Sequence, residues 1–213
     1  MNVLAIDTAS ARPGVSVASA GGFFDEPLPA DRQASERLLP AIARCLDAAG
    51  LRLSDCARVA ACSGPGSFTG IRVGLSTAWG LARGLGIDWE MVSTLEGIAE
   101  AGRGMGDPLT AVLDAGRGEF VLQAFSLEGV RARPLAAVRR LRREDALASV
   151  DPAAVLSVPA GLLTPDGRAP LLPVSRAVAL AVAREPRRHP SPGPGPGAIY
   201  ARASAAEEKR GAP

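Results

Sequence analysis

The most regular hydrophobic pattern in the chain runs from residue 69 to residue 85, where apolar residues recur every three or four positions. These positions are Ile71, Leu75, Ala78, Ala82 and Leu85. Their spacing predicts a helix with one apolar face. The helix follows an apolar run at residues 59–62 that is typical of a buried strand. Glycines and a proline at residues 64–70 mark a turn between the two, and Ser67 or Thr69 can cap the helix.

Glycines are unusually frequent in this predicted helix. Each interior glycine costs roughly 1 kcal/mol relative to alanine, so their presence needs a structural reason. Gly70, Gly74 and Ala78 lie four residues apart along the edge of the apolar face, which would let another backbone approach closely. We interpret this edge as a contact for a partner protein; the alternative is tight packing within the chain's own core. A nucleotide-binding phosphate loop fits poorly, because Ile71-Arg72 stand where that motif has Lys-Ser/Thr.

The rest of the first hundred residues predicts a mixed α/β lobe. Short apolar or alternating runs predict strands at residues 2–6, 14–20, near 23 and at 89–92. Helices are predicted at residues 35–49 and 94–101. In the first of these helices one side carries Leu38, Leu39, Ile42 and Leu46. We therefore expect the α/β fold class.

A pattern in the first lobe returns in the second half of the chain. Residues 109–115 resemble residues 3–8, and each run is a strand that reaches an aspartate, Asp7 or Asp114, before a turn and a second strand. Two such copies suggest an internal duplication. We divide the chain into an N-terminal lobe at residues 1–103, a C-terminal lobe at 104–204 and a tail at 205–213. In the second lobe, helices are predicted at 144–149 and 174–184 and a strand at 154–158.

The two aspartates are the candidate chemical groups. A carboxylate at the end of a strand, beside a turn of small residues, suits a site for magnesium and phosphate. Asp7, Thr8 and Asp114 are therefore candidate cofactor-binding residues. The alternative is that Asp7 only accepts hydrogen bonds from its own turn. The single histidine, His189, rules out a metal site with two histidines within this chain.

Composition and charge limit the possible functions further. The net charge of +2 alone makes no case for nucleic-acid or membrane binding. Three cysteines without metal-ligand spacing indicate a reducing compartment. With no signal-peptide pattern and no run long enough to cross a membrane, we expect a cytoplasmic protein. A local cluster of arginines at residues 139–143 is either a solvated face or a contact for phosphate or an acidic partner.

Several motifs together resemble the bacterial TsaB (YeaZ) family, a subunit of the machinery that forms threonylcarbamoyladenosine in tRNA. The most specific motif is Gly64-Pro65-Gly66-Ser67-Phe68-Thr69-Gly70-Ile71-Arg72. Ile6-Asp7-Thr8, Leu38-Leu39-Pro40 and the segment from Asp114 to Glu119 are also similar to the family. The resemblance is tight over about residues 1–100 and weaker from about 130 to 198.

The resemblance implies an actin/Hsp70/sugar-kinase-like fold made of two ribonuclease-H-like lobes, the second of them reduced. It implies a non-catalytic scaffold or activator that forms a heterodimer with a TsaD-like paralogue, the threonylcarbamoyl transferase. It also implies a TsaE-like ATPase as a partner, a homodimer when the chain is alone, and contact with tRNA only through the complex. No cofactor is expected beyond weak binding of ATP and magnesium.

The resemblance places the pairing surface on the two N-terminal helices. On that basis the predicted interface residues are Leu38, Leu39, Ile42, Gly66, Ser67, Phe68, Thr69, Gly70, Arg72, Val73, Gly74, Thr77 and Trp79. The alternative function is an enzyme of the same fold that uses Asp7 and Asp114. Such an enzyme would be a magnesium- and nucleotide-dependent ATPase or kinase, or a glycopeptidase-like hydrolase.

Overall fold

The computed structural model describes residues 1–30, 34–163 and 168–185. The strands are β1 Val3–Asp7, β2 Gly14–Ser19, β3 Gly22–Pro27, β4 Arg58–Cys62, β5 Asp88–Val92, β6 Leu109–Gly116, β7 Glu119–Ser126, β8 Arg133–Pro134, β9 Arg139–Arg142 and β10 Val155–Ser157. The helices are α1 Ala34–Ala48, α2 Phe68–Leu85, α3 Thr94–Ala101, α4 Arg143–Ala148 and α5 Val174–Arg184. His189 and the predicted tail at 205–213 lie outside the described residues.

The first sheet has the strand order β3-β2-β1-β4-β5. Strands β1, β2 and β3 form an antiparallel meander, while β4 and β5 run parallel to β1. Every residue of β1 and β4 is buried, as expected for central strands that are covered on both faces. The near-continuous apolar runs in the sequence therefore mark the centre of this sheet.

Helices cover the two faces of the first sheet differently. Ile6 points toward α2, since a side chain added at Gly74 would meet it. Ser16 points to the opposite face, where its hydroxyl lies 2.8 Å from that of Ser175 in α5. Helices α1 and α2 therefore lie on one face and α5 lies on the other.

The second sheet repeats the arrangement at the centre of the first. Strands β6 and β7 form an antiparallel hairpin, and β10 runs parallel to β6 on its other side. Strands β8 and β9 pair in turn with the far side of β7. The carboxyl ends of β1 and β6 carry Asp7 and Asp114, so the topology agrees with the predicted duplication.

Helix α5 differs from the predicted division of the chain. It was assigned to the C-terminal lobe at residues 104–204, but it packs against the first sheet. Its buried side includes Ala177, Val178, Ala181 and Val182, and this apolar side covers the sheet face that α1 and α2 leave open. The boundary after residue 103 therefore does not describe this helix.

A buried carboxylate joins the two lobes. The side chain of Glu100 in α3 is only 1% exposed. It accepts hydrogen bonds from Arg103 at 2.7 Å and from Arg184 of α5 at 3.1 Å. It also accepts the backbone N–H of Ala132, which belongs to the second lobe, at 2.5 Å. The charge is therefore compensated from three different segments.

The neighbouring Arg131 makes a second connection between the lobes. Its guanidinium pairs with Glu96 of α3, Glu90 of β5 and Glu185 after α5. Burial raises the pKa of Glu96 above its ordinary value, and the charge of Arg131 offsets part of that effect. The segment at residues 131–132 is thus held against the first lobe by charge-assisted bonds.

The glycine-rich edge of α2 is closed by the chain itself. A Cβ atom at Gly70 would overlap the carbonyl oxygen of Thr8, and one at Gly74 would overlap the Thr8 hydroxyl. A second backbone does approach these glycines, but it is the β1–β2 turn of the same chain. The interpretation of this edge as a partner contact is therefore wrong for the buried Gly74, while Gly70 stays partly exposed and its contact with a partner stays a prediction.

Two glycines in α2 predict opposite effects of the same substitution. Gly70→Ala should destabilise the protein by about 1–3 kcal/mol, because the added methyl group overpacks the contact with Thr8. Gly80→Ala should stabilise it by up to about 1 kcal/mol, since nothing lies within 4 Å of the new Cβ. Urea unfolding of both variants measures the difference. Equal midpoints for the two variants would contradict the close contact at Gly70.

Candidate functional site

A cleft of about 1030 Å³ lies between the two lobes. The β1–β2 turn and the start of α2 form one wall, while β6 and the segment after β10 form the other. The lining residues include Thr8, Ser10, Gly66, Thr69, Val73, Leu113, Asp114 and Pro159. The cleft therefore brings together the ends of β1 and β6 where the sequence predicted cofactor-binding residues.

Asp7 does not face this cleft with its carboxylate. The residue is fully buried, and its Oδ1 accepts the backbone N–H groups of Ala9 and Ser10, both at 3.0 Å. Its Oδ2 accepts the Ser10 hydroxyl at 2.5 Å. Burial raises the pKa of Asp7, and the hydrogen bonds from Ser10 and Ala9 offset part of that effect. In this geometry Asp7 stabilises its own turn, which is the alternative that the sequence left open.

Thr8 and Asp114 do line the cleft, but each also has a bond within the chain. The Thr8 hydroxyl donates to the carbonyl oxygen of Gly70 at 2.6 Å. Asp114 is exposed, and its Oδ1 accepts the backbone N–H of Gly116 at 2.6 Å. Of the three predicted cofactor-binding residues, only Asp114 therefore presents a charged group to the cleft. Whether any of the three residues binds a nucleotide stays a prediction.

The solvent-facing side of α2 is a second candidate site. It is centred on residues that fall on the side of the helix opposite to its buried face, and we call it the α2 outer face. It consists of Thr69, Val73, Ser76, Gly80 and Gly84. Within residues 1–30, 34–163 and 168–185, no atom lies within 4 Å of a Cβ built at Gly80 or Gly84. Another helix could therefore come close to the backbone here.

Larger side chains are exposed on α1 and on α2 itself. Leu39 of α1 is 57% exposed, and Trp79 is 37% exposed. The guanidinium of Arg72 lies 4.1 Å from the centre of the Phe68 ring. The α2 outer face therefore has small side chains along its centre, and exposed apolar side chains lie on the same two helices.

The predicted interface set is divided by the structure. Leu38 and Ile42 are buried under α1, so they cannot form a surface contact. Gly66 and Gly70 face the β1–β2 turn, and Gly74 is buried beside Thr8. The remaining predicted residues are at least partly exposed: Leu39, Ser67, Phe68, Thr69, Arg72, Val73, Thr77 and Trp79. A contact of these residues with a partner stays a prediction.

Three residues of the α2 outer face were missing from the predicted set. Ser76, Gly80 and Gly84 follow one another at intervals of four, which is itself a signal for a strip of small residues on a helix. The sequence contains two such strips in one helix, and only the structure shows that the first is covered by the chain itself.

Known proteins place this fold and these motifs in a family. A family model described as TsaD, tRNA N6-adenosine threonylcarbamoyltransferase, matches residues 9–152, which is more than half of the chain. The TsaB proteins of Bacillus subtilis and Escherichia coli are 32% and 35% identical over 120 and 121 residues. The chain belongs to the TsaB (YeaZ) branch of this family. The predicted family is therefore confirmed.

Structural similarity to YeaZ extends over most of the chain. YeaZ from Pseudomonas aeruginosa superposes with a TM-score of 0.71 at 27% identity, covering 85% of this chain and 91% of that one. An uncharacterized protein of Mycobacterium tuberculosis is 35% identical over 159 residues, covering 73% of this chain and 70% of that protein. The predicted actin/Hsp70/sugar-kinase-like fold is confirmed.

Two facts limit how far the TsaB likeness reaches. The matched region spans about half the length of the curated TsaB relatives, 56% of this chain against 52% of each of those proteins. Among the described residues, no helix has the length and apolar character needed to cross a membrane.

The buried carboxylate of Asp7 leads to a prediction about pH. Its folded-state pKa is raised, so the folded protein holds more protons than the unfolded chain between the two pKa values. The free energy of unfolding should then fall as pH rises from about 4, by at most about 1.4 kcal/mol per pH unit. An Asp7→Asn variant keeps an acceptor for Ala9 and Ser10 but should lack this part of the pH dependence.

Urea unfolding of both proteins between pH 4 and pH 8 tests this prediction, with Asp114→Asn as the control at an exposed carboxylate. Parallel stability curves for wild type and Asp7→Asn would contradict a raised pKa at Asp7.

Proposed function

We propose that this chain is a non-catalytic scaffold or activator that pairs with a TsaD-like threonylcarbamoyl transferase in the formation of threonylcarbamoyladenosine on tRNA. The observation that carries the proposal is the open α2 outer face in a member of the TsaB branch. The names of the curated relatives, "tRNA threonylcarbamoyladenosine biosynthesis protein TsaB", support the pathway.

The shape of the α2 outer face supports pairing with another helix. At Ser76, Gly80 and Gly84 the surface is little more than backbone, so the axis of a second helix could lie closer than at a face of large side chains. Trp79 provides apolar area beside this strip, and tryptophan is a typical anchor of interfaces. Leu39 adds exposed apolar area on α1. A stable complex would bury roughly 1,600 Å² in total, more than α2 alone offers, so α1 would have to contribute.

The internal bonds of the β1–β2 turn support a role without chemistry of its own. In nucleotide-binding turns the backbone N–H groups are directed at phosphate. Here the N–H groups of Ala9 and Ser10 donate to Asp7, and the hydroxyl of Thr8 donates to Gly70. A polyphosphate in the cleft would have to compete with these bonds.

The proposal includes the wider set of partners that the family resemblance implies. The isolated chain forms a homodimer through the same α2 outer face, and the TsaD-like paralogue replaces the second copy. A TsaE-like ATPase joins that complex, and tRNA is met within it. The same geometry supports a homodimer, because a strip of small residues that accepts one helix can also accept the same helix of a second copy.

Gly80→Arg should abolish pairing with the TsaD-like paralogue while leaving the fold intact. The arginine would project from the centre of the α2 outer face, where the chain has no atoms of its own to displace. Gly74→Arg is unsuitable, since it would disrupt the contact with Thr8. Size-exclusion chromatography with light scattering, on the variant mixed with the paralogue, measures the pairing.

Ala148→Arg on α4 is the matched control, because it adds the same side chain to an exposed position in the second lobe. It should pair normally. If Gly80→Arg pairs as wild type does while both variants unfold at the wild-type temperature, the α2 outer face is not the contact and the proposal fails.

A magnesium- and nucleotide-dependent enzyme is the second candidate, favoured by the size of the interlobe cleft and by the exposed Asp114. Titration calorimetry of the full chain with ATP and magnesium separates the two candidates. We expect no binding stronger than about 1 mM, since the donors of the β1–β2 turn are engaged. Binding in the micromolar range that is lost in Asp114→Ala would favour the enzyme instead.

A further inference from the structure

The segment from residue 129 to residue 143 contains six arginines and no acidic residue. It connects β7 to α4 and includes both β8 and β9. Neither the cleft nor the α2 outer face uses it, so its charge needs a separate explanation.

Half of these arginines have roles within the fold. Arg131 pairs with three carboxylates of the first lobe. Arg143 donates to the carbonyl oxygens of Leu162 and Leu163 at 3.1 and 2.9 Å. Arg140 pairs with Glu119 on the adjacent strand.

The other three arginines, Arg133, Arg139 and Arg142, are exposed. Within the described ranges 1–30, 34–163 and 168–185, no carboxylate pairs with any of them. We call these three residues the arginine edge. They are held on short strands, and Leu141 fixes β9 by packing into the apolar cluster of the second lobe.

The arginine edge presents its charge on both faces of the sheet, along the side that β8 and β9 form next to β7. Arg133 and Arg139 lie opposite Ser126 and Leu122 of β7, so they share one face of the sheet about 13 Å apart. Arg142 lies opposite Glu119 and therefore on the other face. An elongated polyanion that runs along the edge could meet all three guanidinium groups.

We propose that the arginine edge binds the phosphodiester backbone of RNA, and the inference that this RNA is the tRNA substrate rests on the proposed function. Guanidinium groups match phosphate oxygens with paired hydrogen bonds. Charge on an edge strand also prevents another strand from adding to the sheet, but one cation suffices for that purpose. Three unpaired guanidinium groups in ten residues are better explained by a polyanion.

The expected signature is a specific dependence on salt. Each phosphate contact contributes about −0.7 to −0.9 to the slope of log K against log salt. Three contacts therefore give a slope of about −2.1 to −2.7. Affinity would fall by about 20- to 40-fold between 50 and 200 mM salt.

The test is fluorescence anisotropy of a labelled tRNA transcript, titrated with the full chain alone and with its complex with the TsaD-like paralogue. An Arg139→Gln/Arg142→Gln double variant should flatten the slope by about 1.4–1.8. The matched control, Arg12→Gln/Arg52→Gln, removes the same two charges from exposed positions of the first lobe and should leave the slope unchanged. Thermal unfolding confirms that both double variants fold.

Three outcomes would overturn the proposal. The first two are equal slopes for the two double variants and no binding of tRNA by the wild-type chain at 50 mM salt. The third is that the Arg139→Gln/Arg142→Gln variant no longer pairs with the paralogue but binds tRNA as the wild type does. In the last case the arginine edge would be a protein contact. Pairing with the paralogue is measured separately by size-exclusion chromatography. A wild-type chain that binds tRNA with the expected salt slope but does not pair would contradict the proposed function. That result would still support RNA binding by the arginine edge.

Discussion

The contact between the β1–β2 turn and the first two turns of α2 determines the rest of this structure. The Thr8 hydroxyl donates to the Gly70 carbonyl, and the Ala9 carbonyl accepts the backbone N–H of Ser67 at 2.9 Å. Because Gly70 and Gly74 have no side chains, the helix can lie directly on the turn. The position of α2 then sets one wall of the cleft and the direction in which its outer face points.

The same helix uses glycine for two different purposes. At its N-terminal end the missing side chains make room for the chain's own backbone, and this contact fixes the helix in place. At Gly80 and Gly84 they leave a strip that no part of the chain described by the structure covers. A helix without the first pair would not be held in position, and one without the second pair would present only ordinary side chains to a partner. The helix-propensity cost of four glycines is therefore divided between a contact inside the chain and the strip on which the proposed pairing depends.

Local patterns in the sequence were sufficient to find most elements. The helix predicted at residues 69–85 begins one residue earlier in the structure, at Phe68, and the strand at 59–62 begins at Arg58. Both have strong periodicity and clear ends. The family motif at Gly64–Arg72 also indicated the fold correctly. In this chain Gly66 and Gly70 make room for the β1–β2 turn, and the Ser67 hydroxyl accepts the backbone N–H of Gly70 as the helix cap.

Questions about which surfaces meet could not be answered from the sequence. The spacing of Gly70 and Gly74 shows that a backbone comes close, but it does not show which one, and Thr8 is more than sixty residues away. One side of α5 is apolar in the sequence, but this pattern does not show which of the two sheets the helix packs against. The direction of the Asp7 carboxylate depends on the turn that follows it, and the same residues could have turned it toward the cleft.

The buried Glu100 has a consequence for how the molecule can move. Proteins of two lobes often work by hinge closure, which requires that the contacts beside the hinge can be exchanged for water. Here a swing of the second lobe would pull the backbone N–H of Ala132 away from a carboxylate that is almost completely shielded from solvent. A hydrogen bond to a buried charged group typically contributes about 1.5–3 kcal/mol. The two lobes should thus behave as one rigid body, and whatever docks on this protein meets a preformed shape.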